Sequence, residues 1–318
     1  MTETLTALGD SQTDYAGYGV PPSKTWTYRL AEEIRARGGD VRSRAFGIQG
    51  DQTLAGLNRV DVCLMYDTPA LALLPLGVND PVASPSALTS AQTIDYITAT
   101  IMALRHGATG PGAGLGQGVH VAGQANLPAT GGLGQRYVVL DDTSTTGGRA
   151  ATSPGHAATI TGSVAADANG NKVTVWEFRQ TQAGEFGWGR VAVRTSPPTV
   201  VPRCAVITPP YRNFTTGGDT PSTPLAINAT LRAAQESAAS VFDASVAFLD
   251  VYARMRQRIV DGVDLDFSAV AYNQARSWTY IENNQHLSTY GHDAFAQGVL
   301  AELIADRPTW LTNLGATL

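Results

Sequence analysis

Apolar residues in the first hundred positions occur in two kinds of pattern. The stretch from 70 to 76 is a nearly continuous apolar run, which is typical of a strand covered on both faces of a parallel sheet. The stretch from 24 to 37 instead places Trp26, Leu30 and Ile34 four residues apart, which predicts one apolar face of a helix closed by a Gly-Gly pair. Strands and helices are therefore expected to alternate.

The same two patterns recur at both ends of the chain. They predict further strands at 5–8, 41–46, 204–207 and 246–249. They predict further helices at 94–104, 228–242 and 290–304. Strands that alternate with helices indicate an α/β fold with a parallel sheet and right-handed crossovers.

The middle of the chain differs in composition. Residues 108–200 are rich in Gly, Thr, Ala and Pro, and short β-like segments occur at 137–140, 173–178 and 189–193. A glycine-rich disordered linker is the competing interpretation, but the alternation within the later segments favours a small β-rich unit. We therefore expect residues 1–107 and 201–318 to form one discontinuous domain, with 108–200 inserted as an accessory domain.

Charge and cysteine content exclude several classes of protein. The formal charge is −5 and the 22 Lys and Arg residues form no basic cluster, so nucleic-acid binding is not expected. The two cysteines, Cys63 and Cys204, are expected to be reduced and buried, although a single disulfide is formally possible. The N-terminal residues do not have the pattern of a classical secretory signal, and no apolar run predicts a membrane span. The cellular location is left open, with extracellular or virion-associated action as possibilities.

Polar motifs follow the predicted strands, where ligands bind in open α/β sheets. Gly9-Asp10-Ser11 follows the first strand, the segment 46–51 with Gly50 follows the second, and Gly77-Val78-Asn79-Asp80 follows the most apolar strand. Near the C-terminus, His286 precedes the final helix in a polar loop.

Each motif alone has an ordinary structural explanation. A Ser/Asp helix cap, a tight glycine turn, an Asx turn at Asn79 and a surface histidine would account for them one at a time. The five histidines show no metal-ligand spacing, so no metal and no other cofactor is expected.

Together, in this order, the four motifs resemble the blocks of the SGNH (GDSL-like) hydrolase family. The resemblance covers residues 1 to about 105 and 203 to 305. It implies a flavodoxin-like three-layer α/β/α sandwich and a serine ester hydrolase. It further implies that Ser11 is the nucleophile, that His286 is the base, and that the backbone N–H groups of Ser11 and Gly50 and the side chain of Asn79 form the oxyanion hole.

One position departs from the family pattern. The family usually has an acid three residues before the histidine, and this chain has Asn283 in that slot. Glu282 could act as a displaced acid, a Ser-His dyad could suffice, or Asn283 could be a substitution that lowers activity. In a Ser-His-Asp triad the corresponding Asp-to-Asn change lowers turnover about 10⁴-fold.

The expected substrate is a short-acyl ester, chiefly an O-acetyl group on a carbohydrate. Asp10, Trp278 and Tyr280 are candidate substrate contacts, because aromatic faces stack on sugar rings. A lipase- or thioesterase-type activity on lipid-like esters is the catalytic alternative. A glycan-binding or virion component that has a degenerate triad, with weak activity or none, is the third.

Overall fold

The fold is described from a computed structural model of the chain. The description covers residues 2–13, 20–57, 59–60, 63, 69–81, 87–106, 118–121, 135–140, 158–166, 172–180, 189–192, 202–211, 226–240, 242, 244–265, 280–282 and 286–318.

The described residues form strands and helices that alternate at both ends of the chain. The strands are β1 Glu3–Gly9, β2 Val41–Gly47, β3 Leu71–Leu74, β4 Gly118–Val121, β5 Gln135–Leu140, β6 Ala158–Ala166, β7 Lys172–Gln180, β8 Gly189–Ala192, β9 Arg203–Ile207, β10 Val246–Leu249, β11 Ile281–Glu282 and β12 His286–Leu287. The helices are α1 Trp26–Ala36, α2 Thr53–Leu57, α3 Ser90–His106, α4 Ala226–Ala239, α5 Val251–Val260, α6 Thr289–Asp306 and α7 Pro308–Asn313.

Five parallel strands form the central sheet in the order β10-β9-β3-β1-β2. This is the flavodoxin-like order, which reverses direction between β1 and β3. Gly9 pairs with Gly47 and Leu74 pairs with Val206, so the carboxyl ends of these strands lie near one edge of the sheet. The predicted α/β fold is confirmed, and the segments that follow β1 and β3 lie on either side of the switch point.

Helices cover both faces of the sheet and create two hydrophobic cores. Alternate strand residues point to opposite faces, so Leu73 joins one core while Leu74 joins the other. Trp26 of α1 and Phe295 of α6 pack edge to face in the first core, with ring centroids 5.3 Å apart. Ile101 of α3 belongs to the second core. The predicted three-layer arrangement is therefore confirmed.

The strands β4 to β8 lie in the segment that sequence analysis treats as an insertion. β4 pairs with β8, and β5, β7 and β6 form an antiparallel sheet in that order. The β character expected for 137–140, 173–178 and 189–193 is thus present, and two strands, β4 and β6, are additional. The boundaries of an inserted domain at 108 and 200 stay a prediction.

Helix α5 adds to the elements that the sequence predicts, and the state of the cysteines agrees with the prediction. Helix α5 was not predicted, although Tyr252, Met255 and Ile259 are spaced as a buried helical face and the Asp250 side chain caps its first turn by accepting from the Ala253 N–H. Both cysteines are buried reduced thiols, as expected. None of the helices in the described ranges combines the length and the apolar character that a membrane span needs.

Candidate active site

The Gly9-Asp10-Ser11 segment forms a tight turn at the end of β1. The Thr13 N–H donates to the Asp10 carbonyl at 3.0 Å, and the Gln12 N–H donates to Asp10 Oδ1 at 2.9 Å. A Cβ at Gly9 would lie 2.2 Å from Thr13 Oγ1, so only glycine permits this close approach. The turn holds Ser11 at the carboxyl edge of the sheet, where it is 7% exposed.

Asp10 stabilises the turn itself. It is 0% exposed, and burial raises the pKa of its carboxyl to about 7; the hydrogen bond from the Gln12 N–H opposes this shift, and the nearby Asp80 and Asp51 add to it. The expected contact between Asp10 and substrate stays a prediction.

Gly50 occupies a turn whose shape requires glycine. The Asp51 N–H donates to the Ile48 carbonyl at 3.2 Å, and Gly50 has φ +78°, the value of the third residue in a type II turn. No atom lies within 4 Å of where a Cβ would stand. Backbone conformation, and not crowding, is thus the reason for a glycine here, and it fixes the direction of the Gly50 N–H.

Asn79 is attached to the same turn. Its Nδ2 donates to the Asp51 carbonyl at 3.0 Å, which joins the loop after β3 to the loop after β2. A side-chain amide nitrogen carries two N–H bonds, so this contact leaves one for a ligand. The side chain makes this bond across two loops, which the simple Asx-turn explanation did not predict.

Asp80 fixes the loop that carries Asn79. Its Oδ1 accepts from the Thr53 N–H at 2.8 Å, and its Oδ2 accepts from the hydroxyls of Thr53 at 2.8 Å and Thr93 at 2.6 Å. Burial raises the pKa of the Asp80 carboxyl, and these hydrogen bonds oppose the rise. The buried Asp80 thus ties α2 and α3 to the Gly-Val-Asn-Asp loop.

His286 lies in a short hairpin that contacts the Ser11 turn. Strand β12, which begins at His286, pairs with β11, and the His286 side chain is buried with 8% exposure. The Leu287 N–H donates to Gln12 Oε1 at 3.1 Å. The residues adjacent to the predicted nucleophile and to the predicted base are therefore hydrogen-bonded to each other, although 275 positions separate them in the sequence.

One carboxylate anchors both sides of this hairpin. Asp264 accepts hydrogen bonds from the hydroxyls of Tyr280, just before β11, and Tyr290, just after β12. Arg258 donates to the same carboxylate at 2.5 and 3.1 Å. Burial alone would raise the pKa of Asp264, but the hydrogen bonds from Arg258, Tyr280 and Tyr290 outweigh it and hold the pKa below its usual value.

Tyr280 belongs to this network and not to a substrate surface. It is 0% exposed, and its ring stacks on Tyr290 with centroids 5.8 Å apart. The expected role of Tyr280 in sugar stacking is therefore wrong, because the ring is covered by protein. Trp278 and Asn283 lie outside the described residues, and only the backbone of Glu282 is described.

A second buried histidine, His292, has a structural role. His292 is buried, and its Nδ1 accepts from the Trp26 N–H at 3.2 Å, which joins α6 to α1. Burial lowers the pKa of His292 to about 4, so the ring is neutral near pH 7. His286 remains the histidine that the hairpin brings beside the Ser11 turn.

The assembled groups suit one kind of chemistry. A serine hydroxyl lies at a sharp turn, a histidine hairpin is bonded to that turn, and the Gly50 and Asn79 loops are bonded to each other beside it. Backbone and amide N–H groups gathered in this way can stabilise a negatively charged oxygen. Groups of these kinds are the ones that acyl transfer through a serine nucleophile uses.

Comparison with known proteins gives short matches to esterases. No protein-family model matches the chain. It is 38% identical over 91 residues to an arylesterase of Vibrio mimicus, which is 28% of this chain and 44% of that protein. It is 35% identical over 78 residues to esterase TesA of Pseudomonas aeruginosa, which is 24% of this chain and 38% of that protein. The matches thus span less than half of either relative.

Among solved structures, the chain resembles AlinE4, an esterase of the SGNH-hydrolase family. The two are 30% identical over a match that covers 32% of this chain and 52% of that one, with a TM-score of 0.28.

Removal of the Asp264 charge should destabilise the protein in a pH-dependent way. At pH 7, Asp264→Asn should lower the free energy of unfolding by about 3 kcal/mol, because it leaves Arg258 without its buried partner. Because the pKa of Asp264 in the folded state lies below its unfolded value of about 3.9, the carboxylate stabilises the fold above that pH. This stabilisation is lost as the pH falls through the folded-state pKa. Urea unfolding at pH 7 and pH 3 should therefore show a deficit that shrinks at the lower pH.

Asp261→Asn is the matched control, because Asp261 is exposed and its Oδ1 accepts a hydrogen bond from Gln257 Nε2, one turn earlier in the chain. It should change the free energy of unfolding little at either pH. A deficit for Asp264→Asn that is equal at pH 7 and pH 3 would contradict the electrostatic explanation.

Proposed function

We propose that this chain is a serine ester hydrolase of the SGNH type, with Ser11 as nucleophile and His286 as base. The proposal depends above all on the hydrogen bond from the Leu287 N–H to Gln12 Oε1, since it brings together two motifs from opposite ends of the chain. Two relatives named arylesterase and esterase support the reaction type. Each match covers less than half of the relative, so the activity is carried over as a proposal.

The reaction proceeds through an acyl-enzyme. Ser11 Oγ attacks the ester carbonyl carbon while His286 takes the hydroxyl proton, and a tetrahedral intermediate forms. His286 then gives that proton to the departing alcohol. Water, deprotonated by His286, attacks the acyl group on Ser11 and releases the carboxylic acid and the free serine.

Three donors from three loops stabilise the tetrahedral oxyanion. They are the backbone N–H groups of Ser11 and Gly50 and the Nδ2–H of Asn79 that does not bond Asp51. Each donor of this kind contributes about 3 kcal/mol to the transition state. The type II turn and the Asn79–Asp51 bond hold two of the donors before substrate arrives, which avoids a reorganisation cost.

The substrate that we propose is a short-acyl ester, with an O-acetyl group on a carbohydrate as first choice. A narrow pocket beside the Ser11 turn is lined by Asp10, Gln12, Pro75 and Val78 together with neighbouring side chains. Its enclosed space is about the size of one water molecule, which suits a methyl group better than a long acyl chain. Trp278 keeps its proposed contact with the sugar ring. Asp10, which lines the pocket, keeps its proposed contact with substrate, whereas the buried Tyr280 does not.

Two alternatives make different predictions about substrate. A lipase- or thioesterase-type enzyme would prefer longer acyl chains, and a glycan-binding component with a degenerate triad would bind without turnover. Rates on p-nitrophenyl acetate, butyrate and octanoate separate the first alternative from our proposal. Acetate release from an acetylated polysaccharide, compared with binding to it, separates the second.

Replacement of the nucleophile should abolish hydrolysis. Ser11→Ala should lower kcat on p-nitrophenyl acetate at least ~10⁴-fold, because no other group can form the acyl-enzyme. Ser240→Ala is the matched control, since Ser240 is an exposed serine at the end of α4. Equal, background-level rates for the parent chain and Ser11→Ala would exclude the proposed function.

Gly50→Ala tests the turn that directs one donor. A side chain disfavours the left-handed conformation by roughly 1–2 kcal/mol, so the turn should convert to type I and reverse the peptide that carries the Gly50 N–H. We expect kcat to fall ~100-fold, with little change in KM. Gly38→Ala is the control: Gly38 also has positive φ, +91°, and its Cβ position has no atom closer than 3.6 Å. An equal loss in both variants would argue against the donor role.

The acid slot is tested by Asn283→Asp. We propose a Ser-His dyad or a displaced acid, Glu282, so this change should alter kcat less than about threefold. Glu282→Gln then separates the two, because it lowers kcat only if Glu282 orients His286. A rate increase approaching 10⁴-fold for Asn283→Asp would instead identify an impaired acid site.

A further inference from the structure

Arg59 lies beneath the loops that carry the proposed oxyanion donors. One guanidinium nitrogen donates to the Phe46 carbonyl at 2.7 Å, and the other donates to the Gly9 carbonyl at 2.8 Å. The second nitrogen also lies 2.5 Å from Asp51 Oδ2. The side chains of Arg59 and Asp51 are each 16% exposed, so this ion pair is largely shielded from water.

Each partner of Arg59 leads directly to one donor. Gly9 is the last residue of β1 and begins the turn that carries the Ser11 N–H. Phe46 lies at the end of β2, just before the Ile48–Asp51 turn that presents the Gly50 N–H. Asp51 closes that turn, and its carbonyl accepts from Asn79 Nδ2. One side chain therefore contacts all three loops, directly or through Asp51.

Few side chains can make these contacts together. The carbonyls of Gly9 and Phe46 lie at neighbouring strand ends, and Asp51 adds a carboxylate, so the partner must reach three oxygens at once. The guanidinium is planar and rigid with five N–H donors, whereas the lysine ammonium is a compact charge on a flexible stem. Lysine could replace the charge of Arg59 but not its planar set of N–H donors.

Electrostatics at this edge also require a cation. Asp10, Asp51 and Asp80 are near one another, and burial raises the pKa of all three carboxyls. Arg59 opposes this rise at Asp51 most directly, through charge and a hydrogen bond, and at Asp10 through charge. Without Arg59, the Asp51 carboxylate would lack its nearest counter-charge, and its turn would lose an anchor.

We propose that Arg59 is the positioning residue of the oxyanion hole, acting through Gly9, Phe46 and Asp51 to set the mutual placement of the Ser11, Gly50 and Asn79 donors. This inference rests on the proposed ester hydrolase activity. It assigns Arg59 no contact with substrate. Its effect should therefore appear in the stabilisation of the transition state and not in ground-state binding.

The test compares Arg59→Gln and Arg59→Lys with the parent chain on p-nitrophenyl acetate. Titration with a phosphonate ester first counts reactive serines, so that kcat is expressed per active site. We expect kcat to fall ~100-fold in Arg59→Gln and ~10-fold in Arg59→Lys, with KM within about threefold of the parent. Affinity for a boronic acid, which mimics the tetrahedral intermediate, should fall by the same factors as kcat.

Arg232→Gln is the matched control. Arg232 is also a partly buried arginine, with 26% side-chain exposure, and it pairs with Asp250 at the other side of the sheet. It should alter thermal stability without changing kcat per titrated site. If Arg59→Gln fails to fold, the charge-conserving Arg59→Lys variant decides the question.

The outcomes separate the two proposals. Parent-like kcat per titrated site in the Arg59 variants, or a boronic acid affinity that does not follow kcat, would overturn the positioning role while leaving the hydrolase activity intact. A reduced count of reactive serines with unchanged kcat would mean that Arg59 only stabilises the fold, and would also overturn it. Absence of Ser11-dependent hydrolysis in the parent chain would overturn both proposals.

Discussion

Hydrogen bonding of buried carboxyl groups determines how the loops of the site are arranged. Asp80 and Asp264 are almost fully buried at the side chain, and each accepts hydrogen bonds from at least two separate segments. Because an unpaired buried charge is costly, loops that carry such groups hold the positions in which the pairing is complete. Arg59 extends the same principle to the carbonyls at the ends of β1 and β2.

The same principle is relevant to the proposed Ser-His dyad or displaced acid. In a full triad, the acid both orients the histidine ring and stabilises its charge. Here Asp264 fixes the backbone of the histidine hairpin from outside, through Tyr280 and Tyr290, and Gln12 fixes it from the nucleophile side. The fold thus supplies part of the orientation of His286. A dyad or a displaced acid then needs to orient the histidine less than it would in a flexible loop.

The sequence could predict the strands and motifs of the site better than the long-range contacts that hold them in place. The apolar run at 70–76 and the glycine-bearing motifs that follow the strands are local patterns, so the fold and the positions of Ser11, Gly50, Asn79 and His286 follow from short segments. Arg59 bonds a carbonyl 50 positions away, and Asp264 bonds tyrosines 16 and 26 positions away. No local pattern reports such partners. Tyr280 was misassigned for the same reason: an aromatic residue near a motif can face a substrate or a buried carboxylate.

Above all, we propose that Ser11 is a nucleophile activated by the His286 hairpin that lies beside it. Labelling with a fluorophosphonate, followed by proteolysis and mass spectrometry, tests it most directly because it detects the bond to serine and needs no knowledge of the natural substrate. We expect one adduct per chain, on Ser11, and strongly slowed labelling in His286→Ala. No adduct, or an adduct on another residue, would contradict it.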